Sequence, residues 1–88
     1  MEKSIYTDEY EHVRALLREI RRTAGLTQIE LAKSLGQTQS FVSKIEMGDR
    51  RLDVIQLRTI CRLLGTTLAR FVELLEERIE AKQRSKRR

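Results

Sequence analysis

Apolar residues recur at helical spacing in five runs along the chain, and the first four runs are each followed by a glycine. Val13, Leu16, Leu17, Ile20 and Ala24 share one stripe, with Arg14, Arg18, Arg21 and Arg22 on or beside its polar side. That spacing predicts a first helix from about Asp8 or Glu9 to Ala24. Leu31, Ala32 and Leu35 form a shorter second stripe, and Val42 and Ile45 a third within Gln39 to Met47. Val54, Leu57, Ile60, Cys61 and Leu64 mark the fourth. The fifth run, starting at Leu68, is wider than one helix packing on a small core needs: Leu68, Val72, Leu75 and Ile79 make a stripe, and Phe71 and Leu74 broaden it.

The residues at the ends of these runs agree with the periodicity. Thr27 can cap the second helix while Glu30 reaches back to the Thr27 amide, the reciprocal pair of a capping box, and Asp53 with Gln56 repeats it before the fourth helix. Leu26 with Leu31 and Leu52 with Leu57 stand at hydrophobic-staple positions, and Thr38 and Thr67 at the remaining caps. The fold class predicted is all-α, a compact bundle of five helices: a flexible N-terminus over residues 1–8, one domain over 9–80, and a basic tail over 81–88 that frays. Tyr6 and Tyr10 continue the stripe of Val13, Leu17 and Ile20, so a docked N-terminal turn or a contact with a second subunit stays open beside fraying.

Between Gln28 and Met47 two short helices meet across a turn that few residues allow. Gly36 can take the left-handed conformation, and Ala32 is small enough to let the third helix approach. Val42 and Ile45 turn inward and fix the crossing, which leaves Gln39, Ser40, Ser43 and Lys44 on a short, polar, basic face. This is the helix-turn-helix arrangement, whose second helix lies in the major groove of DNA.

Charge strengthens that reading. The net charge of the 88 residues is +5, yet residues 14–72 alone hold eleven bases and five acids, a local +6 that suits a polyanion. The single cysteine, Cys61, can form neither an internal disulfide nor a metal site, and it falls on an apolar stripe, so core packing is expected of it. There is no glycine-rich phosphate loop and no Cys/His ligand spacing, and the one histidine, His12, sits among charged residues. Neither cofactor, metal nor enzymatic activity is expected. No apolar run nears the roughly 18 residues of a membrane span and no signal peptide is visible, which points to the cytoplasm.

From about Leu17 to Leu75, the segments TQIELAKSLG and QTQSFVSKIEMGDRR, and a capped helix ending LLGTT, resemble the lambda-repressor-like Cro family of bacterial and phage helix-turn-helix regulators. The chain is similar to the small stand-alone members, including the controller proteins of restriction–modification systems, whose fifth helix makes the dimer. The resemblance implies that Gln28 bonds a DNA phosphate through its amide and the helix N-terminus. Gln39, Ser40, Ser43 and Lys44 would contact bases, Thr38 would cap and touch phosphate, and Arg50 and Arg51 would grip the backbone, a solvated loop being the competing view. Arg21 and Glu46 stand where such proteins hold an ion pair between the first and third helices, a structural role. Phe41 is expected to pack under the following loop.

The function expected is therefore sequence-specific transcriptional regulation by a homodimer on a pseudo-palindromic operator in double-stranded DNA. The surplus apolar surface of the fifth helix, Leu68, Val72, Leu75 and Ile79, supplies the dimer interface, unless all of it is intramolecular core. The alternative is an antitoxin or adaptor of the same fold that sequesters a partner protein such as a toxin.

Overall fold

The computed structural model describes the backbone of residues 5–86 and the side chains of residues 8–85, and shows five helices among them. They are α1 (Ile5–Thr23), α2 (Gln28–Leu35), α3 (Gln39–Met47), α4 (Val54–Leu63) and α5 (Leu68–Lys86). Both capping boxes are formed: the Thr27 hydroxyl accepts the Glu30 N–H at 3.1 Å and the Glu30 carboxylate accepts the Thr27 N–H at 2.9 Å. Asp53 and Gln56 do the same at 2.7 and 3.0 Å. Thr67 accepts the Arg70 N–H at 3.0 Å and so opens α5.

Every helix contributes to one core. Leu16 and Leu17 come from α1, Leu31 and Ala32 from α2, Val42 and Ile45 from α3, Ile60 and Cys61 from α4 and Phe71 from α5. Phe71 and Cys61 are wholly shielded, and burial pushes the Cys61 thiol up from its ordinary pKa, keeping it neutral. Staple residues Leu26, Leu52 and Leu57 pack against this cluster. α3 lies on α2 and α1, while α5 runs along α1 and α4, with Arg78 of α5 ion-paired to Glu19 of α1. Among the described residues no helix is long and apolar enough to cross a membrane.

The two outer helices are longer than the periodicity predicts. α1 begins at Ile5, inside the segment expected to be flexible, and ends at Thr23; residues 1–4 and the side chain of Tyr6 lie outside the described set. α5 continues through the tail expected to fray, as far as Lys86. Residues 76–84 are nearly all strong helix formers, and Glu80 precedes Arg84 by four positions, so helix is favoured there without an apolar stripe. The longer pairing also absorbs part of the predicted dimer stripe. Leu75 packs against the core, Ile79 borders the groove between α5 and Ala15 of α1, and Leu68 is half-buried; Val72 alone of the four is exposed, at 43%. The inward side of α5 is set by Phe71 and Leu74.

Candidate nucleic-acid interface

The turn between α2 and α3 is fixed by backbone geometry. Gly36 adopts φ 69° and ψ 30° and turns its N–H back to the carbonyls of Ala32 and Lys33, while the Gln37 N–H reaches the Ala32 carbonyl at 2.9 Å. A Cβ is disfavoured in that conformation. Two residues on, the Thr38 hydroxyl accepts the Phe41 N–H at 3.2 Å and starts α3. Beneath the turn Leu31, Ala32, Val42 and Ile45 are all buried, so the angle between the helices is held by close packing.

With Val42 and Ile45 turned in, the outward side of α3 presents Gln39, Ser40 and Lys44 in full exposure and Ser43 half-buried, so the four residues expected to contact bases share one face. Met47 joins them. It is 60% exposed, and the Ser43 hydroxyl lies 3.5 Å from its sulfur. Its spacing of four from Ser43 and three from Lys44 was the signal in the sequence; its apolar character hid it. A thioether there can meet a thymine methyl group.

A chain of hydrogen bonds joins this face to the interior. Arg21 donates from Nε to Glu46 Oε2 at 2.6 Å, from Nη2 to Glu46 Oε1 at 3.1 Å, and from Nη1 to the Leu26 carbonyl at 2.7 Å. Gln28 Nε2 donates to the same Glu46 Oε1 at 2.8 Å, and Gln39 Nε2 donates to Gln28 Oε1 at 2.7 Å. Burial raises the Glu46 carboxyl, but the hydrogen bonds from Arg21 and Gln28 and the nearby charges of Arg21 and Arg18 outweigh it and hold it below the ordinary carboxylate range. Glu46 is thus ionised while buried.

Gln28, expected at a phosphate, has one amide N–H engaged by Glu46. Its second amide N–H remains, as do the backbone N–H groups of Gln28 and Ile29, which open α2 and have no intrahelical acceptor. Thr38 is exposed beside them. The two loop arginines diverge: Arg50 lies over the Phe41 ring at 4.8 Å, next to α3, and Arg51 over the Tyr10 ring at 4.9 Å, against α1. Phe41 itself is half-buried against the core under Arg50. Arg14 was not among the expected site residues. Its Nη1 donates to the Glu46 carbonyl at 3.1 Å, placing a cation at the C-terminal end of α3. Gly48, at φ 88°, leaves it room, since a Cβ there would stand 2.9 Å from Arg14 Nε.

The helix-turn-helix family HTH_3 matches residues 17–71. A relative described as an uncharacterized HTH-type transcriptional regulator, from Methanothermobacter thermautotrophicus, is 35% identical over 65 residues, 74% of this chain and 94% of that protein. Among solved structures, an XRE-family like protein from Pseudomonas syringae pv. tomato is similar with a TM-score of 0.78 at 46% identity, over 83% of this chain and 89% of that one. The clp gene regulator ClgR from Corynebacterium glutamicum shares the fold, with a TM-score of 0.77 at 23% identity over 89% of this chain and 83% of its own. With more than half its length matched and a polar helix face mounted on a tight two-helix turn, this chain belongs to the HTH_3 helix-turn-helix family of DNA-binding transcriptional regulators, on an all-α lambda-repressor-like fold.

Proposed function

We propose that the chain binds a pseudo-palindromic operator as a homodimer and regulates transcription by occupying it. The observation that carries this reading is the outward face of α3: Gln39, Ser40, Ser43 and Lys44 stand together with no role in the core. An amide can pair with adenine through two hydrogen bonds, and lysine can reach guanine O6 and N7. Gln28, Thr38, Arg50 and Arg51 surround that face with phosphate donors, so affinity and base preference reside on different residues. Two such faces related by a two-fold axis, about 34 Å apart, would meet successive major grooves on one side of the duplex.

Selection of binding sites from a randomised duplex pool tests this. The expected result is a palindromic consensus bound ~10³-fold or more above scrambled DNA. Gln39→Ala should relax preference at one position of each half-site, whereas Arg50→Ala should weaken all sequences alike. Weak binding to every sequence with no consensus would remove the operator reading and favour the sequestering of a partner protein.

A further inference from the structure

We infer that the Arg21–Glu46 ion pair, acting through Gln28, fixes which way round Gln39 presents its amide to DNA, and so positions a base-reading group as well as bracing the fold. This rests on the proposed base contact of Gln39. Each step in the chain of bonds follows from what the groups can donate or accept. Arg21 can only donate, and it occupies both carboxylate oxygens of Glu46. The carboxylate can only accept, so the end of the Gln28 amide turned toward it must be Nε2, as observed at 2.8 Å. Gln28 Oε1 is thereby left facing outward. An amide oxygen also only accepts, so Gln39 must turn its own Nε2 toward it, as observed at 2.7 Å.

The two ends of an exposed glutamine amide are otherwise interchangeable by a half-turn, and nothing else contacting the exposed Gln39 side chain prefers one order. Anchored as it is, Gln39 keeps Oε1 and one N–H for the groove in a single spatial order. An adenine edge offers an acceptor, N7, beside a donor, N6, and matches a donor–acceptor pair one way round only; guanine offers two acceptors and would face the amide oxygen with one of them. Holding the amide in place beforehand also lowers the ordering cost of binding. A buried ion pair thus sets the hydrogen-bond polarity of a groove-facing side chain two residues removed from it.

The test compares operator half-sites carrying each base at the position whose preference Gln39→Ala relaxes. Gln28→Met keeps length and the Arg21–Glu46 pair but breaks the chain of bonds. It is expected to weaken binding to all DNA through the lost phosphate donor and, in addition, to reduce the preference between bases at that one position by about tenfold, a large part of what a bidentate contact supplies. Glu46→Gln, followed by melting to show that it folds, is expected to reduce the same preference with Gln28 and Gln39 intact. If Gln28→Met lowers affinity evenly and leaves the base preference unchanged while Gln39→Ala relaxes it, the relay is overturned and the base contact stands. If Gln39→Ala relaxes no position, the base contact fails and the relay with it. Should Glu46→Gln not fold, Gln28→Met alone decides.

Discussion

Glu46 is 4% exposed and Arg21 7%, and the two charges are tolerable in that position only because each is hydrogen-bonded on nearly every side it presents. Removing one partner leaves the other uncompensated, so Glu46→Ala is expected to cost ~3–5 kcal/mol, and the double variant Arg21→Met/Glu46→Leu much less than the two single losses added. Because the folded-state pKa of Glu46 lies below its ordinary 4.5, its contribution is complete above that pH and is lost as pH falls through the lowered value. Wild-type melting temperature should therefore fall with acid below about pH 4.5, and the double variant should fall less steeply. An equal slope in both proteins would place the acid sensitivity in other groups. The sequence carried both residues of this pair through family resemblance, but its extension to Gln28 and Gln39 depends on side chains eighteen and eleven positions apart in the chain, a proximity that spacing alone does not encode.

α2 and α3 have eight and nine residues, too short to persist alone, so their ends and their packing must supply what propensity does not. Their caps were legible in the sequence because capping is local: Thr27, Thr38 and Asp53 each bond an N–H three residues ahead. Thr27→Ala and Asp53→Ala are each expected to lower stability by about 1 kcal/mol in chemical denaturation, with DNA contacts untouched by the second. The ends of α1 and α5 were not legible. Both continue through segments without apolar periodicity, and their length is decided where the two helices lie side by side, held in part by Arg78 and Glu19. The same pairing picks Phe71 as the buried anchor of α5 over the stripe of Leu68, Val72, Leu75 and Ile79. Phe71→Ala should accordingly cost ~3–5 kcal/mol, and a loss below about 1 kcal/mol would contradict that placement.

At the scale of the molecule, principal extents of 43 × 31 × 21 Å allow two copies beside a two-fold axis to set their α3 helices about one turn of DNA apart. The proposed dimer contact uses what α5 leaves uncovered, and Val72, exposed at 43%, is its most accessible member. Val72→Glu is expected to leave the melting temperature of the isolated fold little changed while shifting sedimentation equilibrium toward monomer and weakening binding to a full operator more than to a half-site. If the variant still dimerises, the contact lies elsewhere, with the exposed Val54 and Ile55 at the start of α4 the next place to substitute. Net positive charge concentrated between residues 14 and 72 makes every such affinity depend on salt, so the comparison needs one fixed ionic strength.

By itself the sequence determined the number of helices, their caps, the glycine turns and the polar side of α3, because each rests on residues within about one helical turn of one another. Tertiary structure decided the rest. It extended α1 and α5 against each other, divided the apolar surface of α5 between core and solvent, sent Arg50 and Arg51 to different aromatic rings, and brought Arg14, Gln28 and Gln39 to the buried charge of Glu46 and its helix end. Those outcomes depend on which helix faces come together across the core, and long-range packing settles that only once all five helices are in place.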